Sequence, residues 1–95
     1  MNRQQILDAA HQCVTADREA THGEFSANAK VAAEFWTTYL SARYEMPDGW
    51  ALAAIDIAPM MSLLKTVRIA ANPYHMDNYV DGAGFMSLGG ELAAA

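Results

Sequence analysis

The chain has 95 residues, of which 53% are apolar, and its 11 acidic and 6 basic side chains give a formal net charge of −5. This length predicts one domain over residues 1–95. The acidic balance and the absence of any Lys/Arg-rich run argue against general DNA or RNA binding. The single cysteine allows no intramolecular disulfide, and no apolar run is long enough for a membrane span, so we expect a cytoplasmic protein.

Apolar side chains are plentiful for so short a chain, with two Trp, four Tyr, three Phe and six Met. A chain of this size buries a modest fraction of its surface on folding. We therefore expect a homo-oligomer whose interface covers part of this apolar surface.

The first two helices are predicted from apolar residues that recur at helical spacing. The first is expected at about residues 3–17, with Cys13 buried on its apolar stripe. Gly23 marks its end, and the second helix is expected at about 25–43. The predicted packed face of the second helix carries Asn28, Ala32, Phe35, Trp36, Tyr39 and Leu40.

The third and fourth helices follow two turn signals. Pro47, Asp48 and Gly49 predict the turn before a third helix at about 51–71. Pro59 either kinks this helix or lies in the first turn of a helix that begins near Asp56. An Asn-Pro-Tyr turn then precedes a fourth helix at about 75–92. The sequence thus predicts an all-α fold, a compact bundle of about four helices.

Charged residues of the third helix can be placed at about 100° per residue. Asp56 then lies within the stripe predicted to be buried, whose other members are Met60, Leu63, Leu64, Val67 and Ala71. Lys65 points to the far side and Arg68 to the border of the stripe. A buried carboxylate must be paired, hydrogen-bonded or bound to metal. The alternative is that Asp56 only caps the helix and that Lys65 is solvated.

Two aspartates of the fourth helix share a face with Phe85, Leu88 and Leu92. Asp77 is expected either to cap this helix or to contribute to a site. Asp81 lies one turn further in, where capping does not explain it, and it either pairs with Arg68 across the turn or contributes to a site.

The segments DREATHGEF, NAKVAAEFWTTYL, DIAPMMSLLKTVRIA and NPYHMDNYVDGAGFMSL resemble a small uncharacterised domain common in tailed-phage genomes. The resemblance covers residues 5–92, and a phage-encoded chain would work in the host cytoplasm. That family is in turn distantly similar to the MazG-like all-α nucleotide pyrophosphohydrolases. The similarity implies helical oligomers that hold Mg²⁺ or Mn²⁺ with Glu-x-x-Glu and Glu-x-x-Asp pairs and cleave nucleoside triphosphates.

The chain departs from both motifs of the MazG-like enzymes. Lys65-Thr66-Val67-Arg68 stands in place of Glu-x-x-Glu, and Asn78-Tyr79-Val80-Asp81 in place of Glu-x-x-Asp. The candidate ligands of Mg²⁺ or Mn²⁺ are Asp56, Asp77 and Asp81. The candidate phosphate or nucleotide ligands are Arg18, His22, Lys65, Arg68, His75, Asn78 and Tyr79.

Three functions are compatible with these residues. The first is a protein that binds a nucleotide without cleaving it and so sequesters a host immune signal. The second is a metal-dependent nucleoside triphosphate pyrophosphohydrolase. The third is a helical oligomer that binds a host protein, with the aspartates and cations in salt bridges.

Overall fold

Helix boundaries follow the turn residues closely. The computed structural model describes residues 1–17 and 24–95. In chain order they form α1 (Arg3–Gln12), a π-helical turn (Cys13–Asp17), α2 (Phe25–Arg43), α3 (Ala54–Ala71) and α4 (Met76–Ala94), with no strand in the described ranges. The prediction of an all-α fold with four helices is confirmed.

Side-chain acceptors satisfy the free amides at the starts of α1 and α2. Asn2 and Gln5 form a reciprocal cap, in which each side-chain oxygen accepts the other residue's backbone N–H, at 2.9 and 2.8 Å. The Glu24 carboxylate accepts the N–H groups of Ser26 and Ala27 at 2.8 and 2.9 Å. The Ser26 hydroxyl also donates to it, and these hydrogen bonds lower the pKa of Glu24.

Two tight turns position α3 and α4. Before α3, the Trp50 N–H donates to the Pro47 carbonyl at 3.0 Å, and Gly49 takes a φ of 77°, which glycine adopts without strain. Between α3 and α4, the Tyr74 N–H donates to the Asn72 side-chain oxygen at 3.1 Å. Both turns were predicted from their Pro, Asn, Asp and Gly residues.

Pro59 lies in the second turn of α3, because the helix begins at Ala54. The alternative that placed Pro59 in the first turn is therefore wrong, since the helix starts two residues before Asp56 and the proline is one turn further in. Proline has no N–H, so the Ile55 carbonyl lacks its usual donor within the helix. The carboxylate of Asp56 accepts the N–H of Ala53 at 2.8 Å and stabilises this helix start.

The core is built from small side chains. Its buried cluster comprises Phe25, Ala29, Ala33, Ile57 and Ala58, and it lies between α2 and α3. Trp36, Leu52, Met61, Phe85 and Leu88 pack around it while remaining partly exposed. Alanines let the helix axes approach closely, but they contribute little apolar area to the core.

The helices α3 and α4 form the most extensive contact and run antiparallel. The Ser62 hydroxyl donates to the Gly82 carbonyl at 3.0 Å, and at the other end Gly89 lies against Ala58. A Cβ atom at Gly89 would lie 2.9 Å from the Ala58 Cβ, so this position requires glycine at the present helix spacing.

The buried face of α3 differs from the predicted one. Leu63 and Val67, expected in the core, are exposed. The opposite face packs on α4 and includes Ala58, Ser62 and Lys65. Hydrophobicity alone therefore gave the wrong orientation of α3, and it placed Lys65 on the solvent side.

The buried face of α2 also differs in part from the predicted one. Phe35 and Tyr39, predicted to be packed, are 68% and 64% exposed. Ala29 and Ala33 form the buried line, while Trp36 is half-buried beside them. The predicted face is thus rotated, and the large aromatic residues lie along its exposed edge.

The helices pack in the spatial order α1, α4, α3, α2, since α4 contacts both α1 and α3, whereas α2 packs chiefly on α3. The bundle measures 46 × 30 × 23 Å and has a radius of gyration of 14.8 Å. Among the described residues, no helix has the length and apolar character that crossing a membrane requires.

Candidate functional site

A partly buried ion pair joins α3 and α4. The Lys65 ammonium lies 3.0 Å from Asp81 Oδ2, with 13% of the Lys65 side chain and 40% of the Asp81 side chain exposed. Ser62, one turn before Lys65, donates a hydrogen bond to the carbonyl of Gly82, which directly follows Asp81. The packing of α3 on α4 therefore brings Lys65 close to Asp81. Asp81 therefore pairs with Lys65 and not with Arg68, contrary to the pairing considered from the sequence.

A cavity of about 270 Å³ opens beside this ion pair, and we call it the Lys65 cavity. It lies between the end of the first helical segment, α3 and α4. Its lining residues are Cys13, Val14, Lys65, Val80, Asp81, Gly84, Phe85 and Leu88. The arrangement sets one ammonium and one carboxylate in an otherwise mainly apolar wall, where electrostatic interactions are less screened than in water.

Arg68 lies one turn after Lys65 on the exposed surface of α3. Its guanidinium makes no ion pair with the described residues. On a helix, residues three apart are neighbours, so both cations are on the same side of α3.

The start of α4 carries two other predicted site residues. His75 is the N-cap, and its Nε2 lies 3.7 Å from Asp77 Oδ2, with both side chains largely exposed. Asp77 is in the first turn, where the helix dipole favours a carboxylate. This placement accounts for Asp77 without a ligand.

The three predicted metal ligands lie at separate places. Asp56 holds the start of α3, nine residues or about 13 Å along the helix from Lys65. Asp81 pairs with Lys65, and Asp77 points to solvent one turn earlier on α4. Within residues 1–17 and 24–95, no group of three His, Cys, Asp or Glu side chains is arranged to hold a metal ion. These aspartates therefore form no shared cluster within one subunit.

A second cavity, of about 230 Å³, lies on the opposite flank of α4, and we call it the Asn78 cavity. Its lining residues are Ser62, Lys65, Thr66, Ile69, Asn78, Tyr79, Gly82, Ala83 and Met86. Asn78 is only 6% exposed, and its side-chain amide makes no hydrogen bond with any described residue. Such a group carries a desolvation cost that is usually offset by a partner.

Tyr79 is tied to the preceding turn. Its hydroxyl donates to the Pro73 carbonyl at 2.9 Å, and its half-buried ring lines the Asn78 cavity. The structure thus places Tyr79 and Asn78 together, on the side of α4 away from the Asp81 carboxylate.

Two predicted phosphate ligands, Arg18 and His22, lie outside the described residues. The described chain on either side of them ends at Asp17 and resumes at Glu24. Their participation in a site stays a prediction.

Sequence reasoning missed two wall residues of the Lys65 cavity, Cys13 and Val14. Cys13 was expected to be buried, but it is exposed and lies in the π-helical turn. The sequence feature that could have linked Cys13 to a site is its position shortly before the segment from Arg18 to Gly23, which contains two predicted phosphate ligands. Helical spacing alone does not reveal a π-helical turn, which rotates the following side chains relative to an α-helix.

Comparison with known proteins assigns the chain to a family. The model of a domain of unknown function, DUF6378, matches residues 5–93. The chain belongs to this family. Two relatives of the DUF6378 chain are both called Gene 55 protein, one from Mycobacterium phage L5 and one from Mycobacterium phage D29. The resemblance to a small uncharacterised phage family is thereby confirmed. No solved structure matches the chain.

The relatives are longer than this DUF6378 chain. The L5 protein is 32% identical over 83 residues, which are 87% of this chain and 49% of the relative. The D29 protein is 29% identical over 80 residues, which are 84% of this chain and 48% of the relative. The chain thus spans about half the length of the curated relatives it matches.

Proposed function

We propose that this protein binds a small phosphorylated ligand, of the nucleotide class, at the mouth of the Lys65 cavity and holds it without cleaving it. The observation that carries the proposal is Lys65 itself, a lysine with 13% side-chain exposure beside a cavity of about 270 Å³. Ammonium groups bind phosphate as point charges, and partial burial strengthens that attraction.

The partner of Lys65 leaves room for such a ligand. Asp81 is 40% exposed, so its carboxylate can turn towards water when a phosphate approaches. Arg68 supplies a second cation from the same side of α3, and its guanidinium suits two-point contact with phosphate. The described wall of the Lys65 cavity also includes the ring of Phe85, against which a base could pack.

Binding without cleavage is supported by the placement of the carboxylates. Metal-assisted cleavage of a triphosphate needs oxygen ligands that converge on a cation. The described aspartates lie apart, and the Lys65 ammonium lies 3.0 Å from the Asp81 carboxylate. Here a cation from the chain itself neutralises that carboxylate.

The relatives are phage proteins, which suggests what the ligand does. A phage protein that binds a nucleotide tightly removes it from solution. We therefore include nucleotide signals of host immunity in the proposed ligand class, with sequestration as the activity.

The test is a thermal-shift screen with the full chain. The probes are nucleoside mono-, di- and triphosphates, cyclic dinucleotides and inorganic phosphate, each with Mg²⁺ and with EDTA. A ligand present at 100 times its Kd stabilises the folded state by about 2.7 kcal/mol. For a chain of this size that raises Tm by about 10–20 °C. Chromatography of the incubated ligand then shows whether it is intact.

Variants identify the site. Lys65→Ala should abolish the shift, whereas Lys30→Ala, which removes the same charge from an exposed position on α2, should leave it unchanged. No shift with any probe contradicts the proposal and favours the host-protein alternative. Recovery of a monophosphate only in the presence of Mg²⁺ contradicts binding without cleavage and favours the pyrophosphohydrolase.

A further inference from the structure

Exposed and half-buried apolar side chains lie on α2 and α3 around a groove between these helices, and we call this set the α2–α3 apolar face. Its members are Phe35, Trp36, Tyr39, Met61, Leu64 and Val67. Trp36 and Met61 line a shared groove of about 170 Å³ between the helices. The other four residues extend from the groove at spacings of three or four along each helix, so they are its neighbours.

The exposed area of the chain exceeds the average for a folded monomer of its mass. A folded monomer of 10.3 kDa exposes about 5,400 Å², whereas this chain exposes 6615 Å². Its radius of gyration of 14.8 Å likewise exceeds the about 12 Å expected for a compact domain of this length. The excess of about 1,200 Å² is comparable to the about 1,000–2,500 Å² that each subunit buries in an obligate dimer.

The face offers both an exposed aromatic pair and a groove. Phe35 and Tyr39, which are 68% and 64% exposed, each lie three residues after a groove residue of α2, Ala32 and Trp36, and we call this pair the ridge. An apolar cavity of about 150 Å³ accepts a benzene ring, so the groove has room for one aromatic side chain. In a two-fold interface the same patch meets itself, and the ridge of one copy can enter the groove of the other.

Charge does not oppose this pairing at the contact. Each copy carries a formal net charge of −5, so two copies repel at long range. None of the six residues of the face is charged, which lets the centre of the interface form without burying an ion.

We propose that the α2–α3 apolar face is covered by the same face of a second copy of this chain. The dimer buries Phe35 and Tyr39 as the central aromatic anchors, the residue types that dominate binding energy at interfaces. This inference is independent of the proposed ligand at Lys65, because no residue of the face lines the Lys65 cavity.

The experiment measures the mass of the full chain in solution. Light scattering after gel filtration and sedimentation equilibrium over a wide concentration range should give a dimer for the wild type. Phe35→Ser and Tyr39→Ser should each raise the dimer Kd at least about thirty-fold, the ratio that an interface hot spot gives. Tyr74→Ser is the matched control, since Tyr74 is 85% exposed but lies in the turn before α4.

A second measurement needs no variant. Because a dimer couples folding to association, the wild-type Tm should rise with protein concentration, and circular dichroism of the variants checks that they fold. A wild type that is monomeric with a concentration-independent Tm overturns the proposal. An oligomer that Phe35→Ser and Tyr39→Ser leave as intact as Tyr74→Ser does also overturns it.

Discussion

The close contact between α3 and α4 predicts different effects on stability when alanine replaces each of two adjacent glycines. Gly89 and Gly90 both lie within α4, and alanine favours a helix over glycine by about 0.8–1.0 kcal/mol at either position. At Gly90 a new Cβ meets nothing within 4 Å, so Gly90→Ala should stabilise the fold by that amount. At Gly89 the new Cβ would lie 2.9 Å from the Cβ of Ala58.

The clash at Gly89 has no inexpensive relief. The Ala58 Cβ is fixed to the backbone, and Ala58 is fully packed in the core, so α3 and α4 must separate locally. Overpacking of this kind costs about 1–3 kcal/mol. Because the gain in helix propensity is common to both variants, the same 1–3 kcal/mol is the expected difference between them. For 95 residues this corresponds to a difference of about 4–24 °C in Tm.

The assay is thermal denaturation followed by circular dichroism at 222 nm, with both variants at the same protein concentration. Gly90→Ala should melt above the wild type and well above Gly89→Ala. Equal Tm values for the two variants would refute the close approach of α4 to Ala58 and, with it, the described packing of α3 against α4.

Two further predictions concern polar side chains. Asn78→Leu should raise the free energy of unfolding by about 1–2 kcal/mol, because the buried amide has no partner among the described residues. Helix propensity alone would raise it by roughly 0.5 kcal/mol. A urea titration measures the change, and a loss of stability would reveal a partner for the amide. Glu24→Gln should lower Tm at pH 7 and should lower it less at pH 3, since the pKa of Glu24 is depressed by its hydrogen bonds to Ser26. A depressed carboxyl pKa stabilises the fold above the unfolded value of about 4.3, and this stabilisation is lost as pH falls through the folded pKa. A Tm difference that persists unchanged at pH 3 would contradict this role.

Helix positions could be predicted from the sequence because local signals set them. Gly49 and Pro73 mark the turns, and the bounds predicted for α2 agree with the observed ones. These signals depend on backbone conformation near each residue, so they need no knowledge of the rest of the fold.

Helix orientations could not be predicted in the same way. The helical spacing of α3 predicted that Leu63 and Val67 face inwards, whereas in the structure Ala58 is buried and Lys65 packs against α4 on the opposite side. Apolar periodicity identifies a face that avoids water, but it does not distinguish a core from a subunit interface. For the same reason the pairing of Lys65 with Asp81 was missed, although both residues had been singled out for their charge.

The packing order of the helices predicts which helix separates from the others by local unfolding. Since α2 packs chiefly on α3, it can open locally while α1, α3 and α4 stay together. Ala29 and Ala33 contribute little apolar area against that opening, so Phe25 and Trp36 provide most of the resistance. Amide hydrogens of α2 would then exchange faster than those of α3 and α4, and the second copy proposed to cover Phe35 and Tyr39 would slow that exchange.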